Sequence, residues 1–347
     1  MHRRDLLKIL QSGLVASAAS VAFPSYAFAA GEKKDKRPIA LLLPLTGERA
    51  RLGLSMRQAA LLAENSAFVQ SFDTGGTAGG AAAAAGLALK KLPALILGPL
   101  LAEEVPAVTS TIAGRVPIIS FSNDSVLKSP GTYIFGITAA QVTSAVLRYA
   151  RTRGVRSVVV IDDLSPWSSA AAVAAGRMEG ELGIKVRVIE VHAGVPAPDT
   201  GEAPDAVLIP GAGEPVLAAA RNLKDTGVQL LGTFQGLDHR PDALTTLQGA
   251  WIASPDPVAF GTFANEYTAR NGGTAGTIAA LAYDAAGIAN SLRAAGKLTP
   301  EGLLTSEGFH GVTGPVRFRT DGSVARDFAI LLARADGYEP VAVSSGS

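Results

Sequence analysis

The feature that most constrains the fold is a repeated alternation of short apolar runs, turns and helical segments. The run over residues 38–43 is apolar throughout, as expected for a strand buried on both faces of a sheet. The same alternation continues to residue 121, and a second series covers residues 139–223. Strands that alternate with helices at this spacing predict right-handed βαβ units and parallel sheets. The two series predict an α/β protein with two doubly wound parallel-sheet lobes.

The individual elements follow from the same patterns. We predict strands over residues 38–43, 68–72, 94–97, 116–121, 157–161, 185–191 and 205–209, and helices over 52–65, 102–113, 139–152, 263–271 and 278–294. In the helix over 139–152, one face at helical spacing predicts the buried side: Val142, Val146, Tyr149 and Ala150. The chain ends differently. Residues 311–322 predict a hairpin with a Thr-Asp-Gly turn, and residues 328–338 a second, short strand pair.

The N-terminus carries the pattern of an export signal. Arg3 and Arg4 precede a moderately apolar stretch over residues 9–23, which closes on the small-x-small pattern Ala27-Phe28-Ala29. We predict a twin-arginine-type signal over residues 1–29, cleaved near Ala29, and a leader over 30–37. The mature protein is then expected to be soluble in the periplasm. A basic anchor helix is the alternative, but the stretch contains polar residues and is shorter than the ~20 apolar residues that a span needs.

Composition excludes several functional classes. Without residues 1–29 the chain has 28 basic and 29 acidic residues, so no excess of positive charge favours a nucleic-acid partner. The chain has no cysteine, which excludes disulfides, thiolate metal sites, cysteine nucleophiles and a lipid-modified N-terminal cysteine. About 318 mature residues are more than one hydrophobic core usually serves, which agrees with two lobes.

No arrangement of residues in the sequence indicates catalysis. His192, His239 and His310 are far apart and lack metal-ligand spacing, and there is no Gly-x-Ser-x-Gly motif. We therefore predict a protein that is not an enzyme and uses neither a metal nor a cofactor.

The candidate binding residues lie where predicted strands end, because ligands in open α/β sheets bind beyond the carboxyl ends of the strands. The first series supplies Thr46, Thr74, Ser120, Ser122 and Asn123, and the second supplies Asp162, Ser165, Trp167 and Gln235. Hydroxyl and amide groups are suited to bind a polar solute, while Trp167 is suited to stack on an apolar or sugar face. The alternative is structural: Asn123 and Asp124 cap a turn, and Trp167 covers the hydrophobic edge of the second lobe.

Five short motifs carry a family resemblance. They are Leu43-Pro44-Leu45-Thr46-Gly47, Ile96-Leu97-Gly98-Pro99-Leu100, Val116-Pro117-Ile118-Ile119-Ser120, Ala282-Tyr283-Asp284-Ala285 and the stretch over 309–322. In their order and spacing the chain resembles the type I periplasmic binding proteins, the superfamily of the leucine/isoleucine/valine-binding proteins. The resemblance implies two lobes joined by three chain crossings, with a small polar ligand in the cleft between them. It places residues 38–134 and 255–310 in lobe one, residues 135–254 and 311–345 in lobe two, and an inner-membrane ABC permease as the partner.

Three positions depart from the amino-acid binders of that superfamily. Leu100 and Leu101 follow Gly98-Pro99, where those proteins commonly supply a serine hydroxyl to the ligand carboxylate. Gly136 stands where they often carry an arginine, and residues 162–167 replace their aspartate–tyrosine–glycine stretch. An amino acid needs partners for both of its charges, because burying either one unpaired costs several kcal/mol. Those partners are not evident in the sequence, which counts against a free amino acid. The expected ligand is a small polar solute, either an amino acid or a related molecule, of unassigned identity.

A second resemblance is local. The stretches Phe72-Asp73-Thr74-Gly75-Gly76 and Phe121-Ser122-Asn123-Asp124 look like the activators of penicillin-binding proteins, which have the same fold but bind a peptidoglycan synthase. Those activators carry a lipidation cysteine and a helical-repeat domain, and we expect neither in this protein. The sequence thus predicts a solute-binding protein for ABC-type uptake, with a regulator of a peptidoglycan synthase as the alternative.

Overall fold

The protein is described by a computed structural model that covers residues 35–64, 67–192, 202–211, 213–223 and 226–346. The predicted signal over residues 1–29 lies outside the described residues. Within them, no helix is long and apolar enough to cross a membrane.

The first sheet contains five parallel strands in the order β2-β1-β3-β4-β5. The strands are β1 (Ile39–Leu43), β2 (Val69–Asp73), β3 (Leu95–Leu97), β4 (Ile118–Ser120) and β5 (Thr132–Ile134), and the helices between them are α1 (Ala50–Ala63), α2 (Ala78–Leu89) and α3 (Val105–Ile112). Every residue of β1 is buried, as the apolar run predicted. On α2 the buried residues are alanines, whose small side chains let the helix approach the sheet closely.

The second sheet contains nine strands, and its parallel part has the order β7-β6-β8-β9-β10. Its elements up to β10 are α4 (Ala139–Thr152), β6 (Ser157–Asp162), α5 (Pro166–Leu182), β7 (Lys185–Glu190), β8 (Ala206–Ile209), α6 (Glu214–Leu223), β9 (Gln229–Thr233), α7 (Pro241–Leu247) and β10 (Trp251–Ser254). Helix α4 begins at a capping box in which Thr138 accepts a hydrogen bond from the Gln141 N–H. Its predicted face packs inward, with Val142 and Val146 fully buried.

The chain then returns to the first sheet before it ends in the second. The remaining elements are α8 (Pro257–Asn271), α9 (Thr277–Ala294), α10 (Pro300–Leu303), β11 (Phe309–Gly311), β12 (Gly314–Phe318), β13 (Val324–Arg334) and β14 (Gly337–Ser345). The Tyr267 hydroxyl on α8 donates to Gln58 Oε1 on α1 at 2.7 Å, and Asn290 Nδ2 on α9 donates to the Ala63 carbonyl at 3.1 Å. The chain therefore passes between the two lobes three times.

The last strand pair is longer than predicted. Strand β13 has eleven residues and β14 nine, and a register shift falls between Ile330 and Leu331, where Pro340 lies opposite. Proline has no N–H to donate to a ladder, so a strand that contains it is easily overlooked in a sequence. The predicted hairpin over residues 311–322 is confirmed: β12 and β13 are antiparallel, and the Gly322 N–H donates to the Arg319 carbonyl at 3.0 Å.

The sequence patterns predicted no helix or strand between residues 223 and 263. The structure has β9, α7, β10 and the first turns of α8 in this range. The two strands have five and four residues, and β9 contains Gly232. Runs this short do not separate strand from helix by periodicity.

Candidate ligand site between the two sheets

The loops that follow strands of both sheets contact one cavity of about 460 Å³. Both parallel arrays have the strand order 2-1-3-4-5. The connections from the adjacent first and third strands, β1 and β3 in one sheet and β6 and β8 in the other, leave in opposite directions. This divergence opens a crevice at the carboxyl edge of each sheet. The volume lies within the range of ordinary small-molecule pockets.

One wall of the cavity comes from the first sheet and its helices. Leu52 and Ser55 extend from α1, Leu100 follows β3, and Phe121 and Asn123 follow β4. Phe121 is buried, whereas Asn123 is exposed at the cavity surface. Asp124 rather than Asn123 caps the adjacent turn, because its Oδ1 accepts the Val126 N–H at 3.0 Å.

The opposite wall comes from the second sheet. It contains Trp167 at the start of α5 and the pair Phe234 and Gln235, which follows β9. The first chain crossing and the N-terminal end of α9 complete the cavity with Gly136, Ile137, Gly276, Thr277, Ile278, Ala279 and Leu281. Both lobes and one crossing therefore contribute to a single site.

Trp167 is held in a defined orientation. Its Nε1 donates to the Pro210 carbonyl at 3.0 Å, in the turn after β8. Its ring meets Phe234 edge to face, with centroids 5.6 Å apart and an interplanar angle of 86°. The ring also packs against the hydrophobic core, so it covers an apolar edge and lines the cavity at once.

Two predicted polar residues act on the loop that presents Trp167. Ser165 accepts the Ser168 N–H at 3.2 Å and so caps α5. Asp162 is buried, and its Oδ1 accepts the Leu164 N–H at 2.8 Å and the Ser169 hydroxyl at 3.1 Å. Neither residue lines the cavity.

The two predicted threonines are likewise bonded within the protein. The Thr46 hydroxyl donates to Asp73 Oδ2 at 2.6 Å, and the Leu45 N–H donates to Asp73 Oδ1 at 2.8 Å. Burial disfavours ionised Asp73, but these hydrogen bonds outweigh it and hold the pKa of Asp73 below its usual value. Thr74 is fully buried, and its Oγ1 accepts the Gly76 N–H at 3.3 Å.

Ser120 and Ser122 are buried and do not line the cavity. The Ser120 hydroxyl donates to the Pro99 carbonyl at 3.1 Å, and Ser122 Oγ accepts the Asp124 N–H at 3.2 Å. Of the nine predicted residues, the structure thus brings Asn123, Trp167 and Gln235 together around the cavity. Their role in binding stays a prediction.

Helices α1 and α9 also line the cavity, which the sequence patterns did not predict. Leu52, Ser55 and Ile278 lie in helices whose apolar positions look like ordinary core positions in a sequence. Leu52 and Ile278 are 37% and 36% exposed, so both present apolar surface at the cavity. Their position at the cavity depends on how distant parts of the chain pack in the first lobe, and no local sequence pattern predicts that packing.

The described lining of the cavity contains no ionisable side chain. Its polar side chains are two amides and two hydroxyls: Asn123, Gln235, Ser55 and Thr277. The Ser55 hydroxyl lies 3.0 Å from the Tyr267 hydroxyl and is thus already hydrogen-bonded. Among the described residues, no cluster of three or more histidine and acidic side chains could hold a metal ion.

A buried charged network joins the crossings outside this cavity. Asp284 on α9 accepts the N–H groups of Val312 and Thr313, each at 2.8 Å, and the Thr313 hydroxyl at 2.5 Å. Arg326 on β13 donates to the Thr313 carbonyl at 3.1 Å and to the Phe135 carbonyl at 2.9 Å. Burial raises the pKa of Asp284 and lowers the pKa of Arg326 to about 10. The first and third crossings are therefore tied to both lobes.

The sequence matches the Periplasmic binding protein family over residues 37–338, and the chain belongs to that family. This agrees with the two-lobed fold and with a cavity lined from both lobes. Among curated protein sequences, no relative is found.

Solved structures share the fold at low identity. A Rhodospirillum rubrum protein described as a branched-chain amino acid ABC transporter has a TM-score of 0.76 and 21% identity, covering 88% of this chain and 99% of that chain. The leucine binding protein LivK of Thermotoga maritima has a TM-score of 0.59 and 19% identity, covering 88% and 98%. The C-domain of Haemophilus influenzae LpoA, a regulator of PBP1A, has a TM-score of 0.71 and 16% identity, covering 88% and 100%. At these identities the similarity establishes the fold alone.

Proposed function

We propose that this chain is a non-enzymatic periplasmic solute-binding protein that closes on a small molecule and delivers it to an inner-membrane ABC permease. The observation that carries the proposal is the cavity of about 460 Å³, to which both lobes contribute aromatic and amide side chains. Membership of the Periplasmic binding protein family supports it, as do solved structures of branched-chain amino acid transport proteins with the same fold.

Binding is proposed to act through a hinge. Lobe one consists of residues 38–134 and 255–310, and lobe two of residues 135–254 and 311–345, so that closure rotates the lobes about the three crossings. A ligand that contacts Asn123 on one side and Trp167 on the other binds the closed state better. Such differential affinity shifts the open–closed equilibrium toward closure.

Export is proposed to occur through the twin-arginine-type signal over residues 1–29, with cleavage near Ala29. The Arg3-Arg4 pair and the family assignment support this route. Lysine substitutions at both arginines should leave the precursor in the cytoplasm, and sequencing the N-terminus of the periplasmic protein should begin at Ala30.

Thermal unfolding of the purified protein tests the proposal. The panel contains amino acids, short peptides, sugars, aromatic acids and muropeptides. A ligand at 100 times its dissociation constant adds about 2.7 kcal/mol, which raises the Tm of a protein of this size by a few degrees. A clear shift with at least one solute supports transport, and a panel without any shift contradicts it.

A second candidate function is regulation of a peptidoglycan synthase. The observation in its favour is that four predicted binding hydroxyls form hydrogen bonds within the protein and do not line the cavity. They belong to Thr46, Thr74, Ser120 and Ser122. The local stretches at residues 72–76 and 121–124 support it, as does the fold shared with the C-domain of LpoA, described as a regulator of PBP1A.

Purified class A penicillin-binding protein separates the two functions. If this candidate is right, the protein raises glycan-strand or cross-link formation in a stoichiometric complex with the synthase, and no solute alters the Tm. A solute-dependent Tm without any effect on the synthase excludes regulation.

A further inference from the structure

We infer that the ligand is a largely apolar molecule that carries no ammonium group, so that it is not a free amino acid. This inference rests on the proposed solute-binding function and names the chemical class that the cavity takes. It is carried by the chemistry of the cavity lining, from the aromatic and aliphatic side chains to the polar atoms between them.

The apolar part of the lining is extensive and partly uncovered. Phe121 and Leu100 form a buried floor, and the edge-to-face pair of Trp167 and Phe234 forms a rigid aromatic side. Leu52 is 37% exposed although it lines the cavity. Covering apolar surface is favourable, so an apolar or aromatic molecule is the complementary occupant.

The polar part of the lining is uncharged. An ammonium group is stabilised in a closed cleft by a carboxylate or by several acceptors, and burying it unpaired costs several kcal/mol. No aspartate or glutamate is among the described lining residues. Several carboxylates lie near lining residues in sequence and accept hydrogen bonds inside the protein. Asp124 accepts the Val126 N–H, Asp163 accepts the Ser165 N–H, and Asp284 accepts the N–H groups of Val312 and Thr313.

The amides of Asn123 and Gln235 suit a carbonyl or carboxyl oxygen on the ligand. Both side chains are exposed and lie on opposite walls of the cavity. An amide N–H donates to either a neutral carbonyl or a carboxylate, so both oxygen types belong to the same ligand class. Leu100 and Gly136 also line the cavity and add no polar side chain to it.

Matched ligands test the inference by isothermal titration calorimetry on the purified protein. One set is L-leucine, 4-methylpentanoate and 4-methylpentanamide, and the other is L-phenylalanine, 3-phenylpropanoate and 3-phenylpropanamide. Within each set the side chain is constant, and removal of the ammonium group is the deciding change. We expect at least one deaminated compound to bind ten-fold or more tightly than its amino acid. The acid and the amide then tell whether the preferred oxygen is charged or neutral.

Gln235→Glu provides the reciprocal test, because it adds a carboxylate to the cavity with little change of shape. Within each set, the measured quantity is the Kd of the deaminated amide divided by the Kd of the amino acid. This ratio should be at least five-fold higher for the variant than for the unaltered protein. Gln248→Glu makes the same chemical change at an exposed residue outside the cavity and should leave that ratio unchanged.

The inference is overturned if an amino acid binds more tightly than both of its deaminated analogues, which would leave the solute-binding function intact. It is also overturned if neither set binds while a sugar or peptide raises the Tm. If no solute of any class binds, both the inference and the proposed function fail.

Discussion

At the scale of single residues, the cavity depends on a few side chains that the surrounding loops orient. Trp167 is the principal example, since a hydrogen bond to Pro210 and an edge-to-face contact with Phe234 set its ring. Asp162 and Ser165 do not line the cavity but orient Trp167 indirectly. Asp162 accepts a hydrogen bond from the loop before α5, and Ser165 caps the first turn of α5, which carries the tryptophan. Preorganised aromatic side chains of this kind often dominate binding energy.

Trp167→Ala should weaken ligand binding by about 2 kcal/mol, or roughly thirty-fold in Kd, without unfolding the protein. The reason is the loss of an oriented aromatic surface at a half-buried position. Calorimetry with any solute that raises the Tm measures the effect. Trp251→Ala is the matched control, because Trp251 packs on Tyr149 outside the cavity and should affect stability rather than affinity. Equal affinities of Trp167→Ala and the unaltered protein would place the ligand elsewhere.

At the scale of elements, helix α9 and the third crossing depend on one close approach. A Cβ added at Gly311 would lie 2.4 Å from Asp284 Cγ, so no side chain fits between β11 and α9. Asp284 in turn holds the N–H groups of Val312 and Thr313, and Arg326 binds the Thr313 carbonyl. The crossing is thus built around a buried carboxylate.

Gly311→Ala should destabilise the protein by on the order of 2 kcal/mol or more, because it displaces Asp284 from its hydrogen bonds. Urea unfolding measures the change. Gly261→Ala is the matched control within α8, where an added Cβ meets nothing within 4 Å, and it should be neutral or stabilising by up to ~1 kcal/mol. A Gly311→Ala variant as stable as Gly261→Ala would show that the crossing adapts without cost.

The turn between β12 and β13 contributes stability that should depend on pH. Asp321 forms an ion pair with Lys128 and accepts the Ser323 hydroxyl at 2.6 Å, and these contacts hold the pKa of Asp321 well below its usual value. A lowered folded-state pKa contributes stability that is present above the unfolded value of about 3.9 and disappears as the pH falls through the folded value.

Asp321→Asn should therefore be less stable than the unaltered protein at pH 6, by no more than ~1 kcal/mol because the pair is largely exposed. The difference should shrink as the pH is lowered through 4 toward 2, as measured by urea unfolding at each pH. Asp336→Asn, at an exposed position in the turn between β13 and β14, is the control. A difference that stays constant with pH would contradict the assigned ion pair.

The elements also show how far the sequence could predict this molecule. Long apolar runs such as residues 38–43 became buried strands, because burial on both faces leaves an unambiguous pattern. Arg326 lies in a strand segment with Asp327 and looks exposed in the sequence, yet it is fully buried. Its partners Phe135 and Thr313 come from two distant crossings, and no local pattern connects them. The cavity wall from α1 and α9 was missed for the same reason.

At the scale of the whole molecule, two lobes share one cavity and three crossings. The buried Asp284–Thr313–Arg326 network ties the first and third crossings together, whereas the cavity lies at the carboxyl edges of both sheets. Crossings about which two lobes can rotate and a cavity lined from both lobes are the parts that hinge closure requires. We therefore expect ligand binding to change the separation of the lobes rather than their internal structure.

Closure of the two lobes on a solute can be measured by small-angle X-ray scattering. The purified protein is compared alone and with a saturating amount of the solute that raises its Tm most. We expect a smaller radius of gyration with the ligand, and a smaller decrease for Trp167→Ala at the same ligand concentration because the variant is less fully occupied. A radius of gyration that stays the same while the ligand is bound would contradict closure of the two lobes on a solute.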